Sequence, residues 1–203
     1  MPPDDDDDVD PLVSSSAQVG LSKQTRTTLD CLDHNAINYE LIVLLLENVC
    51  LGRAELVPFS AAILIFLPSL ESIRRLSDIL ESHPIFGTNH FLVLPLHSTI
   101  SNDNQGLVFN VPRNGVRKIV ISTNLAETGV TIPDITCVID TGKHREMRFD
   151  EKRQISRLVE TFVAQSNAAQ RRGRAGRVQE GICFHLFTKQ RHDEVVGYCA
   201  CVC

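Results

Sequence analysis

The sequence predicts an α/β fold built on one parallel sheet. Three observations carry that expectation. From residue 61 onward, short continuous apolar runs alternate with helix-patterned stretches, the rhythm of strands joined by crossover helices. The runs are aliphatic, with 5% aromatic residues and no Trp in the chain, which suits strands buried on both faces. A length of 203 residues with 43% apolar content is enough for one domain with a sizeable core, plus a tail.

The elements follow in order. Residues 1–27 join an Asp run to Pro, Ser and Thr with almost no apolar content, so a disordered acidic tail is expected there. "LDCLDHNAINYELIVLLLENVC" sets Ile37, Leu41, Leu44, Leu45 and Val49 at spacings of three and four, an amphipathic helix with Asp33 or Asn35 as its N-cap. "AAILIFL" is the first buried strand, stopped by Pro68 and Ser69. "LESIRRLSDILES" then places Leu70, Ile73, Leu76, Ile79 and Leu80 on one helix face. "FLVLPL" is the second strand, "SNDNQGLVF" a short helix, "RKIVIST" the third strand, "ITCVID" the fourth and "ICFHLF" the fifth. One stretch departs from this rhythm. "GKHREMRFDEKRQISRLVETFV" is highly charged, alternates weakly and has a polar turn near Asp150–Arg153, which reads as a hairpin projecting from the sheet.

Charge is unevenly spread. Residues 1–60 carry 3 basic against 11 acidic side chains, whereas residues 140–177 carry 10 against 5. A basic stripe in the second half suits an anionic partner, either nucleic acid or nucleotide phosphate, although charge alone also fits an ordinary solvated face. Of the seven cysteines, Cys31, Cys50, Cys137 and Cys183 stand singly in apolar runs and read as buried free thiols. The "CACVC" tail has no C-x-x-C pair and no nearby His at ligand spacing, so no metal site is expected. Nothing resembles a signal peptide, since residues 4–8 are all Asp, and no apolar run reaches the roughly 18 residues needed to span a bilayer. These features point to a cytoplasmic chain, with the nucleus also open, and to no membrane partner.

Two polar stretches carry the chemistry. "STNLAETG" directly follows the strand "RKIVI", and ligands of open parallel sheets sit at the carboxyl edge of the strands. Thr123 and Asn124 offer short polar groups and backbone amides to a phosphate backbone, and Gly129 permits close approach. A capped strand-to-helix turn explains the same residues equally well. In "NAAQRRGRAGR", Gln170, Arg174 and Arg177 stand at spacings of four and three and can share one helix face. A Gln that orients water, beside arginines that neutralise developing charge, is what phosphoryl transfer requires. A basic surface patch or a localisation signal is the alternative, which the regular Gly-Arg interleaving with small Ala disfavours. A small-molecule α/β enzyme has little support, since no dinucleotide turn, nucleophile elbow or metal cluster is present.

Taken together and in this order, these stretches resemble the second RecA-like lobe of DEAH/RHA-type superfamily 2 RNA helicases, over roughly residues 25–192. "ILIFLPSLESI" looks like motif IV, "STNLAETGVTIPD" like motif V and "QRRGRAGR" like motif VI. The resemblance implies a RecA-like, P-loop NTPase-type sheet over residues 28–192, between the tail and an irregular segment at 193–203. It implies that Gln170 positions the attacking water and that Arg174 and Arg177 are arginine fingers for ATP. Phe109 matches the position that stacks on adenine. Thr123 and Asn124 match contacts to the RNA backbone, Ser98 matches a further phosphate contact, and the hairpin matches an element lying between parting RNA strands. DNA is not excluded as an alternative strand, and ribonucleoprotein partners are also implied.

The sequence departs from the family at three positions. Gly129 stands where many members have a nucleotide-sensing Ser. Pro133 and Asp134 replace a pattern with an earlier acidic residue, so Asp134 is given no ribose contact. Ser69 stands where Gly is frequent. The chain also has no G-x-x-x-x-G-K-[ST] loop and no DExH, so ATP and Mg²⁺ are expected to be held mainly by a first lobe, with helical and winged-helix modules following. The chain alone is expected to be inactive. A non-catalytic RNA- or protein-binding module derived from such a helicase is the alternative.

Overall fold

The structure, a computed structural model, describes residues 22–31, 33, 35–99, 106–113, 115–129, 131–150, 153–177 and 179–188. The chain divides into two units between Ala36 and Ile37. In the first unit, helix α1 (Lys23–Asp30) starts at Ser22, whose hydroxyl accepts from Thr25 N at 3.1 Å. The stretch expected to be disordered therefore includes, at residues 23–27, the start of a helix. The remainder of that stretch lies outside the described residues.

The second unit is built on five parallel strands: β1 (Ala62–Phe66), β2 (Phe91–Leu96), β3 (Arg117–Ser122), β4 (Cys137–Asp140) and β7 (Ile182–His185), in the order β2-β3-β1-β4-β7. All five apolar runs became strands, and the α/β class with one parallel sheet holds. Strand β1 is central, and each of its residues is buried. Alternation divides the core into two layers. Ile63, Ile65, Ile119, Ile121 and Ile139 pack with buried side chains of helices α2 (Tyr39–Glu47) and α3 (Leu70–Ser82). Leu64, Phe66, Val120 and Val138 face the opposite layer, with Ala126, Ile132, Ile135 and Ala175.

Helix α3 buries Ile73, Leu76 and Leu80 as its spacing predicts, and Ser69 is its N-cap, accepting from Ser72 N at 3.2 Å. The Ser found in place of the frequent Gly thus supplies a cap. Helix α2 departs from expectation. Neither Asp33 nor Asn35 caps it; Asn38 does, accepting from Leu41 N at 2.9 Å. Its buried stripe is Ile42, Leu46 and Val49, while Leu41 and Leu44 are exposed. Residues 41–46 are all apolar, so periodicity could not choose a phase and packing on the sheet chose it. Cys50 and Cys137 are buried and Cys183 is half-buried, but Cys31 is exposed, against expectation. Burial pushes the Cys50 thiol up to about 11 and those of Cys137 and Cys183 to about 12, so these thiols are poor nucleophiles.

The charged stretch forms an antiparallel ribbon of β5 (Lys143–Asp150) and β6 (Ile155–Phe162). Its first turn starts from Gly142, in the left-handed region at φ 71°. Of the expected helix "SNDNQGLVF", residues 101–105 lie outside the described residues, and Leu107–Phe109 is a 3₁₀ turn. That turn is held by Lys118, which is fully buried on β3. Its Nζ donates to Val108 O (2.9 Å), Asn110 O (3.1 Å) and Asp134 Oδ1 (2.6 Å). No described helix is long and apolar enough to cross a membrane.

Candidate functional site

Two loops leave the carboxyl edge of the sheet from neighbouring strands. Leu96 of β2 lies opposite Ser122 of β3, so Ser98 and the pair Thr123–Asn124 emerge from adjacent strand ends. Ser98 and Asn124 are exposed, whereas Thr123 is buried. The Thr123 carbonyl accepts from Ala126 N (3.3 Å) and Ser122 Oγ (3.1 Å), turning the chain into the short helix α4 (Leu125–Thr128). Gly129 ends that helix at φ −81°. A Cβ there would meet Leu125 O at 3.4 Å, an ordinary contact, so the backbone does not demand glycine.

Helix α5 (Gln165–Arg172) carries the arginine segment onto the second apolar layer. The helix ends at Arg172, and two successive turns follow, with Arg174 N donating to Arg171 O (3.0 Å) and Ala175 N to Arg172 O (3.2 Å). The single helical face expected for Gln170, Arg174 and Arg177 is therefore not formed. Arg174 and Arg177 nevertheless line one small crevice with Leu64, Ala126, Ile132 and Ile135. Gln170 is exposed and does not line it. Arg174 is buried and donates from Nη2 to the Glu127 carbonyl. Arg177 is exposed and donates from Nη1 to Thr131 Oγ1 at 2.5 Å. Burial lowers the Arg174 pKa, the Arg177 charge lowers it further, and Glu127 opposes both. A guanidinium stays cationic at neutral pH under such pressure.

Phe109 is 42% exposed at the end of the turn that Lys118 holds, and its neighbour Val108 belongs to the same apolar layer as Ala126, Ile132, Ile135 and Ala175. The 3₁₀ turn, the α4 loop and the arginine segment thus share one side of the sheet. Asp134 is committed to Lys118, which gives it a structural partner. The hairpin ribbon exposes Met147, Phe149 and Leu158, with Met147 directly opposite Leu158. Among the described residues no group of three His, Cys, Asp or Glu side chains could hold a metal ion.

One residue absent from the sequence-derived set stands at the centre. Arg171 is fully buried. Its Nε donates to Glu127 Oε2 at 3.0 Å, and its Nη1 donates to Asp140 Oδ1 at 2.8 Å and to Lys143 O at 3.2 Å. Its guanidinium lies 4.7 Å from the centre of the Phe66 ring. Asn167 Nδ2 donates to the other Glu127 oxygen. Burial alone would raise the Asp140 carboxyl, but the His185 hydrogen bond, the charge and hydrogen bond of Arg171 and the Gly142 amide together hold it below the usual carboxylate range. The sequence does contain a signal for Arg171: it stands three residues after the small Ala168 on α5, and both are buried, the stripe a helix turns towards a sheet.

A family model for the helicase conserved C-terminal domain matches residues 49–179. Over 177 residues the chain is 45% identical to the putative ATP-dependent RNA helicase DHX57 of Homo sapiens, a match covering 86% of this chain and 13% of that protein. It is 42% identical over 177 residues to the ATP-dependent RNA helicase DHX29 of Homo sapiens, covering 87% of this chain and again 13% of the relative. Among solved structures, the DExH-box NTPase HrpB of E. coli superposes with a TM-score of 0.68 at 31% identity, covering 80% of this chain and 19% of that one. The chain therefore spans a small fraction of the length of the proteins it matches.

Proposed function

Because the chain belongs to the helicase conserved C-terminal domain family, we propose that it acts as the second RecA-like lobe of an ATP-dependent RNA helicase and completes an ATP site whose other half lies on a first lobe. The observation that carries this reading is the pairing of Arg174 and Arg177 along one crevice. Two guanidinium groups held together in a net acidic chain suit the spread charge of a transferring γ-phosphoryl group. ATP supplies the scissile phosphoanhydride. Arg177, exposed and held by a single hydroxyl, reaches towards the nucleotide. Arg174, seated on the Glu127 carbonyl, fixes the second positive charge beside it. Gln170, exposed on α5, orients the attacking water, and the exposed Phe109 ring stacks on adenine.

Among the described residues no group of three acidic or other ligating side chains could hold Mg²⁺. Asn124, Ser98 and the amides of the Thr123 loop meet the RNA backbone at the carboxyl edge of the sheet. The exposed apolar face of the hairpin stands where strands would part. The setting proposed is cytoplasmic or nuclear.

The test has two parts. The 203-residue chain alone should show no ATP turnover above background, and turnover by the pure chain would overturn the half-site reading. In a two-lobed protein carrying this lobe, Arg177→Ala should lower kcat about a thousandfold, the scale of an arginine finger. Unchanged kcat would remove Arg177 from that role. RNA affinity measured against salt should fall steeply, since phosphate contacts release counterions.

A further inference from the structure

We propose that Arg171 is a positioning residue that sets the arginine crevice and the base of the hairpin with a single guanidinium. This deepens the function proposed above and rests on it for its catalytic part. The geometry has three arms. The first runs from Arg171 Nε to the Glu127 carboxylate (3.0 Å), and the carbonyl of that same Glu127 accepts from Arg174. The α4 turn is thus clamped from both sides, its carboxylate by Arg171 and Asn167 and its carbonyl by Arg174. The second arm runs to Asp140 at the end of β4, which also accepts from Gly142 N at 2.9 Å. The third runs to the carbonyl of Lys143, the first residue of the hairpin. A shift of Arg171 therefore displaces Glu127, and with it the seat of Arg174, while it displaces the corner from which the hairpin departs.

The type of side chain matters. A guanidinium is planar and presents fixed, divergent donors, so it can bond two carboxylates and a carbonyl that lie in different directions. An ammonium at the same place keeps the charge but cannot span all three. Arg171 and Asp140 are fully buried and Glu127 nearly so, so a lost bond is not made good by bulk solvent. Positioning through such a network is a claim about coupling, and coupling is measured by whether two perturbations add.

Arg171→Lys, examined in the whole chain by hydrogen exchange, should raise exchange about tenfold in two places together. These are the α4 turn, where Gly129 N donates to Leu125 O, and the hairpin base, where Val163 N donates to Gly142 O. The amides of β1 and β3 should stay within about twofold. A change confined to one of the two places, or spread over the whole sheet, overturns the proposal. Should Arg171→Lys not fold, Glu127→Gln tests the first arm by itself: exchange should rise at the α4 turn and not at the hairpin base, because the bonds of Arg171 to Asp140 and Lys143 are kept, and no rise at α4 overturns the proposal.

In the two-lobed protein, Glu127→Gln should lower kcat about tenfold with KM for ATP within about twofold, and should add nothing in an Arg174→Ala background. Multiplying effects would overturn the link from Arg171 through Glu127 to Arg174. If Arg174→Ala alone leaves kcat unchanged, the arginine-finger reading fails, and the exchange experiment then decides the positioning role by itself.

Discussion

Two buried cations, Lys118 and Arg171, solve opposite problems at opposite ends of the same sheet. Lys118 sits near the start of β3, and its three oxygens come from residues 8, 10 and 16 positions away. They converge on one nitrogen, as a compact point charge requires. Arg171 meets oxygens 28, 31 and 44 positions away, on the hairpin, on β4 and on the α4 turn. Its ligands diverge, so a fork is needed. The lysine closes local loops and holds the Phe109 turn in place. The arginine ties together elements that the sequence keeps far apart. Their partners differ in a second respect: the Asp134 side chain is 17% exposed, whereas Asp140 is fully enclosed.

The comparison predicts unequal losses. Arg171→Met strands Glu127 and Asp140 without their cation and should cost about 3–5 kcal/mol, the scale for breaking a buried ion pair. Lys118→Met leaves one carboxylate with access to water and two carbonyls, and should cost less, about 1–3 kcal/mol. Urea unfolding midpoints of the two variants measure the difference, and equal losses would break the contrast.

Acid sharpens it further. The Asp140 pKa is lowered in the fold from its ordinary 3.8. The stability it contributes is therefore whole above that ordinary value and is lost as pH falls through the lowered one. Asp140→Asn should flatten the acid limb of the stability curve. A limb as steep as that of the unsubstituted chain would mean another carboxylate governs acid unfolding.

The smallest effect is expected at the end of α4. Gly129→Ser needs no unusual backbone and meets only an ordinary contact, so Tm should move by no more than the equivalent of about 0.5 kcal/mol. A larger loss would mean that the clamped α4 turn does not tolerate a side chain at its end.

The contrast also explains what the sequence made legible. Strands β1, β3 and β4 are buried on both faces along nearly their whole length, which demands apolar runs at their centres; β2 and β7 are only partly buried but carry the same apolar pattern. The face of α3 was legible because polar residues interrupt its apolar ones. In α2 nothing interrupts residues 41–46, and only the sheet decided that Ile42 and Leu46 would turn inward. Arg174 and Arg177 were found because the motif repeats them, but the motif also hides Arg171 as one arginine among several. Its partners stand 28 or more residues away, and no local pattern joins them. The helical-face argument for Gln170 failed for a local reason: α5 stops at Arg172, just before Gly173, so residues beyond it no longer follow the helical period.

The corner at Gly142 has one more consequence. A Cβ there would lie 2.4 Å from Phe187 Cδ1, so the ring of a residue beyond β7 rests against the bare backbone from which the ribbon springs. Eight residues of strand make an arm of about 26 Å. Seen as a lever with its fulcrum at Gly142, the ribbon magnifies: a turn of about 10° there would sweep the tip through about 4–5 Å on an arm of that length. The Phe187 ring fills the space that a side chain at Gly142 would take, so the ribbon can leave the sheet there only from a bare backbone.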